Sequence, residues 1–489
     1  MPVPASSSRL LPESLTLPSA PGVRARTVMM ALVAVFAIVI AARLPFLSDP
    51  MLGEEGMLAR LVIGPGPFIR GDDVLIVARL DGIPVMLHPG RTVVPYQILD
   101  NIVRPAFGTA DINGLSIAQL SRAGRTAFLA LFVLACVVLL PLALRTLREA
   151  PENRWVVLAL VAYALTTPLA IGGSVQLMLD GTLAPLLAGS AAWLLLMAQR
   201  QALAARLAFG LASGVVISLG KNEWTLAFAA ALGVGYAVQR LAARRSGDQG
   251  RQDGVLTAAA LAGTVVAAIA IQLWTPATFL SGFDTMQRIA NAPVDRFGAF
   301  REVLGLTYPV FALGIAGGLL GWRLWPGIVL KQFPLFVIFL WAAAITAGYS
   351  YSGWFPDGFP RYFIPALFLF LMFLIMALRR VELRHGATWF LVSLCIAGLV
   401  ANAATLGRNY ARGRSINSYY GVSFAESKAR FAREAAQFRI DGQPIFSDSV
   451  IDLYYPGVDW VSSSLGVEGA NDLLRRRRPA FTGHIGPPE

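Results

Sequence analysis

Charge is the scarcest commodity in this chain of 489 residues. Lysine and arginine together number 41 and aspartate and glutamate 29, so charged residues make up only 14% of the chain and the net charge is +12. A soluble domain carries about 25% charged residues, so an ordinary cytosolic enzyme is excluded. Cysteine is nearly absent: Cys136 and Cys395 are the two present, and both fall inside apolar runs. That leaves neither a disulfide scaffold nor a cysteine-based zinc site. The three histidines, His88, His385 and His484, lie far apart in sequence, which argues against a histidine-cluster metal centre. No internal repeat stands out. What the chain has in abundance is apolar sequence, 56% hydrophobic residues with a mean hydropathy of +0.60. It is divided into blocks of about 20 residues, the length that crosses a bilayer as a helix.

The blocks predict an all-α polytopic membrane protein with about eleven spans, at 27–44, 124–145, 155–172, 178–198, 203–220, 222–239, 255–275, 303–322, 330–348, 361–378 and 387–407. The fifth and sixth meet at a very short polar break. Lysine and arginine close to span ends stay cytoplasmic. With the N-terminus inside, the short cytoplasmic connections carry fourteen of them, from Arg145 to Arg384, and the shortest connections on the other side, those of under about 15 residues, carry only Lys221 and Arg361. The expected topology is therefore N-terminus cytoplasmic and C-terminus external, with Lys221 and Arg361 as exceptions that call for a reason.

Residues 1–26, rich in Pro and Ser with Arg9, Arg24 and Arg26, cannot build a core and are expected to be a disordered cytoplasmic tail. The apolar run behind them is long enough, and flanked by enough charge, to be an uncleaved first span rather than a signal peptide. Residues 27–407 form the expected transmembrane domain, with a large first external loop at 45–123, and 408–489 form a C-terminal external region of α/β character. Short interfacial helices are expected at Glu54–Ile63 and Asp111–Leu120, with Pro and Gly turns between them. Phe424, Phe431 and Phe438 recur at heptad spacing and suggest an amphipathic helix, followed by a β-like stretch over 444–455.

The chemistry-bearing residues collect in the first external loop, where Glu54, Glu55, Asp72, Asp73, Arg79, Asp81, His88 and Arg91 follow the first span closely. A single carboxylate in an exposed loop is most simply a solvating group. A cluster of them on so uncharged a chain is where a general base would be put. The order Arg43-Leu44-Pro45, the paired acids Glu54-Glu55, then Gly82-Ile83-Pro84 and His88-Pro89 resembles the membrane glycosyltransferases of the GT-C type, especially the aminoarabinose transferases and the protein O-mannosyltransferases of family 39. Glu54 stands where that family has its catalytic Asp, one methylene longer, and Glu55 where it has the neighbouring Glu. Asp180 in LMLDGTLAPLL, Lys221 in SLGKNEWTLAF and Arg361-Tyr362 in FPRYFIPALFLFL are similar to further family segments, and all three fall on the external side of a topology derived from other residues.

The resemblance implies transfer of a sugar from a polyprenyl-phosphate carrier to an acceptor hydroxyl on a glycan, lipid or protein, by a single inverting displacement at the outer face of a bacterial inner membrane. Nucleotide sugars are confined to the cytoplasm, so an external donor has to be lipid-linked. Its phosphate departs as a stable anion, and what it needs is positive charge to receive it. Glu54 and Glu55 are then the catalytic pair, with Glu54 taking the acceptor proton. His88, Lys221, Arg361 and Tyr362 become donor-phosphate ligands, and Asp72, Asp73, Arg91 and Asp180 position substrate. No cofactor is expected, and the many carboxylates leave a divalent cation open. Arg361 has the competing reading of a snorkelling interfacial anchor, and His88 that of a solvated loop residue. For Lys221 that alternative is weaker, because the residue sits at a break between apolar runs on the side that disfavours cations.

Other signals fail. Gly214–Gly220 before Lys221 has the wrong spacing for a phosphate loop and Asn222 where Ser or Thr is required. Glycines 314, 317, 318 and 321 read as a helix-packing stripe. The Arg475–Arg478 run on an external tail suits anionic lipid or glycan phosphates, so no nucleic-acid partner is expected. A lipid or glycan flippase remains the alternative class, although ionisable residues near the span centres, which transport favours, are rare.

Overall fold

In the computed structural model the described residues are 23–47, 69–71, 74–80, 83–86, 117–175, 179–199, 201–242, 247–274, 304, 307–320, 332–352, 360–381, 383–411, 445–447, 460–462 and 481–485. The apolar blocks are helices. They are α1 (Val23–Ala41), α2 (Ile117–Glu149), α3 (Arg154–Leu165), α4 (Pro168–Val175), α5 (Leu183–Ala198), α6 (Leu203–Ser218), α7 (Asn222–Ala242) and α8 (Gly247–Trp274), then α9 (Thr307–Leu320), α10 (Phe333–Ser352), α11 (Ile364–Leu378) and α12 (His385–Ala411). Seven helices among the described residues are long and apolar enough to cross a membrane, or eight if the bent pair around α3 and α4 counts as one span. This is a polytopic membrane architecture. Each of the eleven apolar runs coincides with a helix or helix pair, but α5, α6 and α9 fall short of a full span by length alone.

The core is organised around α11. Every residue from Ile364 to Leu378 is buried, which suits a helix apolar on all sides. Helices α2, α5 and α10 pack on it, Phe132 meeting Phe368 edge-on at 6.0 Å and Phe339 meeting Phe370 at 5.6 Å. By contrast α1 and α12 bury only 17% of their apolar windows and present Ile38, Phe390 and Val400 outward. Lipid tails are as apolar as these side chains, so helices associate in a bilayer through close packing rather than through a hydrophobic drive. The glycines serve that packing. A Cβ on Gly214 would come 2.1 Å from the carbonyl oxygen of Ala260, and one on Gly263 would come 2.2 Å from that of Leu211, so α6 and α8 touch backbone to backbone. Gly314 and Gly317 lie under Phe370 and Phe373, as a packing stripe should, whereas Gly318 faces open space.

The pair α3 and α4 turns by 55° at Thr166 and Thr167. Thr167 caps α4, its hydroxyl accepting from the Ala170 amide at 3.2 Å, and Pro168 occupies the first helical position. At its far end α11 is tied down by Asn153, whose amide donates to the Leu378 carbonyl at 2.6 Å, and by Arg379, which pairs with Glu149.

Among the described residues there are also two small three-stranded sheets. Strands β1 (Ile69–Gly71), β2 (Val74–Leu80) and β3 (Ile83–Met86) form an antiparallel sheet in that order, with Leu80 opposite Ile83. Between the two helices expected in the first loop, in place of the expected turns, residues 69–71, 74–80 and 83–86 are strands, and the last four residues of the expected helix at Asp111–Leu120 open α2. The other expected helix, Glu54–Ile63, lies outside the described residues. In the C-terminal region β4 (Ile445–Ser447) pairs in parallel with β5 (Trp460–Ser462) and β6 (Phe481–Ile485), and β4 falls within the expected β-like stretch. The Phe424–Phe438 segment is outside the described residues.

Candidate functional site

Three helices begin at one place. Helix α5 is preceded by a 3-10 turn at Leu179–Gly181, α11 by another at Pro360–Phe363, and α7 by the tight turn that ends α6. Each of these lead-ins contributes one buried charge: Asp180, 2% exposed, Arg361, 4%, and Lys221, 6%. Lys221 Nζ donates to both carboxylate oxygens of Asp180, at 2.8 and 2.9 Å, and Arg361 Nε lies 3.7 Å from Asp180 Oδ2. Aromatic rings wall the cluster. The Tyr362 ring lies 4.8 Å from Lys221 Nζ and 5.2 Å from the Arg361 guanidinium, and it stacks on Tyr349 with centroids 5.0 Å apart and planes 12° from parallel. Trp224 covers the ammonium from another side at 5.7 Å.

Local propensity does not explain a lysine here. Lys221 is the N-cap of α7, its carbonyl accepting from the Trp224 amide at 3.1 Å. That position favours short oxygen-bearing side chains, and the positive end of the helix dipole disfavours a cation. Three helix starts together with Lys221 and Arg361 make this region electropositive; Asp180 is the anion in contact with Lys221, and Glu223 in the first turn of α7 adds a second negative charge near Tyr349. Asn222 adds a further donor, since its Nδ2 is buried and has no acceptor among the described residues.

The Asp180 turn is held from behind by the broken span. Arg43, fully buried at the end of α1, donates from Nε to Ser174 Oγ at 2.6 Å and from Nη2 to the carbonyls of Leu165 at 2.8 Å and Ala170 at 3.3 Å; it also donates to Val39 and lies 4.0 Å over the Phe132 ring. Its guanidinium thus fills the bend and satisfies the Leu165 carbonyl, which the helix break leaves without an amide partner, and it adds a second donor to the Ala170 carbonyl inside α4. Arg125 donates to the Val175 carbonyl at 3.2 Å, fixing the end of α4. Gly173 of α4 abuts Gly181, where a Cβ would sit 1.6 Å from the Gly173 oxygen. From Arg43 through Ser174 and Gly173 to Asp180 the contact is continuous.

Of the residues singled out from sequence, Asp180, Lys221, Arg361 and Tyr362 come together. Glu54, Glu55, Asp72, Asp73, His88 and Arg91 lie outside the described residues. Sequence reasoning noted Arg43 only within a motif and missed its role in the bend; the signal was an arginine at the end of an apolar run, paired with Thr166-Thr167-Pro168 interrupting another. It also missed that Lys221 is bound by Asp180, which distance along the chain conceals. Among the described residues no group of three His, Cys, Asp or Glu side chains could hold a metal ion. No family model matches the chain, and no curated protein matches it significantly in sequence.

Proposed function

We propose that the protein is a membrane glycosyltransferase of the GT-C type that moves a sugar from a polyprenyl-phosphate donor to an acceptor hydroxyl. The observation that carries this reading is the buried Lys221, Arg361 and Tyr362 cluster at the converging starts of α5, α7 and α11. A lipid-linked phosphate requires a cationic site at the boundary between membrane and water. Arg361 at one end of α11 and Arg379 at the other are separated by a helix of about 27 Å at 1.5 Å per residue, close to the ~30 Å of a hydrocarbon core. In this reading all eleven apolar helices cross a bacterial inner membrane, the arginine-rich end around Arg145, Arg148 and Arg379 faces the cytoplasm, and the cluster opens outward.

Lys221 and Arg361 hold the donor phosphate, the guanidinium as a planar fork and the ammonium as a point charge. Tyr362 and Tyr349 offer a flat wall to the sugar or the carrier. Glu54 takes the proton of the acceptor hydroxyl as its oxygen attacks the anomeric carbon. The carbon-oxygen bond to phosphate breaks, and the phosphate keeps the electron pair. His88 completes the phosphate contacts, and Glu55, Asp72, Asp73, Arg91 and Asp180 orient the two substrates. The acceptor is a glycan, lipid or protein hydroxyl.

One feature favours a second reading, transport of a lipid or glycan: the broken span α3–α4, because discontinuous helices line many transport paths. In those proteins the break receives the cargo, and here Arg43 occupies it. The test is reconstitution with a panel of short-chain polyprenyl-phosphate sugars, together with mass spectrometry of envelope glycans and lipids from cells with and without the gene. The proposal expects one missing sugar, and transfer in vitro that Glu54→Gln abolishes and Lys221→Ala or Arg361→Ala weakens through the KM for donor. An unchanged envelope, or full activity of Glu54→Gln, refutes the mechanism; flux of a lipid across vesicles without any transfer establishes the transport reading.

A further inference from the structure

In the structure Lys221 cannot serve an incoming phosphate. Two of its three ammonium protons are directed to Asp180, and among the described residues what remains within reach is the faces of Tyr362 and Trp224. We infer that Asp180 is a resident counter-ion that masks Lys221 while the site is empty and is displaced by the anionic headgroup of a lipid phosphate. The inference rests on the functional reading only for the identity of the anion.

An ammonium this deeply buried has to be neutralised by something, because an unpaired charge in an apolar setting costs more than the fold can sustain. An empty site that relied on solvent would also have to keep water inside the bundle. Asp180 meets the need with a bidentate contact. A carboxylate and a phosphodiester present the same chemistry to an ammonium, an anionic oxygen pair about one hydrogen bond away, so each excludes the other. The geometry supplies a place for the displaced carboxylate. Asp180 Oδ2 already lies 3.7 Å from Arg361 Nε, beyond hydrogen-bond range but within a small swing of it. Rotation of the carboxylate toward Arg361 releases Lys221 to the phosphate, and no buried charge is stranded in either arrangement. The exchange also works in reverse. Once the sugar has gone, Asp180 competes with the carrier phosphate for Lys221 and hastens its departure.

The turn that carries Asp180 suits a partner exchange, because only the side chain has to move. Its backbone is fixed by the contact between Gly173 and Gly181, while among the described residues the carboxylate makes no hydrogen bond other than those to Lys221.

Binding without turnover is the test. Decyl phosphate is titrated calorimetrically into the full-length protein in detergent, with inorganic phosphate as the headgroup lacking a tail. Asp180→Asn, which removes the competing charge and keeps the shape, is expected to bind decyl phosphate about tenfold or more tightly than the wild type. The gain should vanish in Asp180→Asn combined with Lys221→Met. Unchanged or weaker binding by Asp180→Asn, or a gain that survives the loss of Lys221, overturns the inference. Equal affinity for inorganic phosphate overturns its assignment to a lipid.

The wild-type protein provides a check that needs no variant to fold. The chain has three lysines, Lys221, Lys331 and Lys428, so ¹⁵N-lysine and ¹³C-aspartate labelling resolves the Lys221 contact by solid-state NMR distance measurement. The Asp180 carboxyl is expected close to Nζ in the empty protein and replaced by ³¹P on saturation with decyl phosphate. Persistence of the carboxyl contact at saturation overturns the exchange. Exchange in a protein that transfers no sugar supports it and removes the glycosyltransferase reading alone.

Discussion

Arg43 is the residue whose substitution separates charge from shape most sharply. It is fully buried and, among the described residues, has no carboxylate within ion-pairing distance. Its stabilisation comes from the fork of donors reaching Ser174, Leu165, Ala170 and Val39 and from the Phe132 ring. Lysine at this position keeps the cost of burying a charge and loses the fork, because a single ammonium cannot span the sites that Nε and the two terminal nitrogens reach. At least two charge-assisted hydrogen bonds disappear, each worth about 1.5–3 kcal/mol in water-soluble proteins and nearer ~1 kcal/mol between helices in lipid. Arg43→Lys should therefore cost about 2–4 kcal/mol. Methionine strands the Leu165 carbonyl but removes the buried charge, and replacing buried charge by apolar volume is often nearly neutral. Arg43→Met should thus be the more stable of the two by about 1 kcal/mol or more, although it looks the less conservative. Equilibrium unfolding in mixed detergent micelles, followed by helical circular dichroism, measures the difference. A lysine variant as stable as the wild type, or one more stable than methionine, would refute the account of Arg43 as a multidentate filler of the bend.

The remaining predictions concern packing and the ends of the central helix. Gly181→Ala should destabilise by about 3 kcal/mol, at the upper end of overpacking costs, since its Cβ would meet the Gly173 backbone; Gly173→Ala should cost less, because the nearest obstacle is the mobile tip of Ile364. Parallel melting curves rank the two, and equal effects would count against a rigid contact there. Gly214→Val should open the α6–α8 interface, where a Cβ already overlaps Ala260 and Thr264, and lower the yield of folded, monodisperse protein in gel filtration. Asn153→Ala should cost about 1–2 kcal/mol by stranding the Leu378 carbonyl. Glu149→Gln, at its exposed pairs with Arg145 and Arg379, should cost under about 1 kcal/mol; the reverse order for these last two would mean that α11 is anchored by charge rather than by capping.

How much of this was legible in the sequence depends on the range of the interaction involved. Helix positions were readable because apolar runs are local, and the break at Lys221 was visible as a polar interruption. The grouping of Asp180, Lys221 and Arg361 followed from expected sidedness, since residues on one face of a membrane share a plane even when 41 positions separate two of them. Which of them pair did not follow, because sidedness fixes depth and leaves lateral neighbours open. The strands at 69–71, 74–80 and 83–86 had a readable signal that the expectation of turns there passed over. Val74–Leu80 is rich in β-formers, and Asp81-Gly82 before Ile83 is the dipeptide of a tight hairpin. The short lengths of α5 and α6 were masked by hydropathy, which continues through turns such as Leu179–Gly181 without registering the change of geometry.

The buried arginine bears on the choice between catalysis and transport more directly than the count of spans does. A transporter's broken helix exposes backbone carbonyls and amides so that a cargo can use them and then leave. Here the carbonyls at the break are held by Arg43, a side chain of the same protein, and the segment beyond it is fixed by Arg125 and by the contact between Gly173 and Gly181. Such a break functions as a rigid corner. It turns α4 toward the Asp180 lead-in and holds that turn opposite Lys221, which is what preorganised electrostatics requires and alternating access would have to undo. If Cys pairs engineered across the bend, from α1 to α4, form a disulfide and leave donor binding and sugar transfer intact, the corner is static and catalysis is favoured. If the same cross-link arrests activity while donor binding persists, the bend moves in each cycle, and the transport reading gains the ground that Arg43 has denied it.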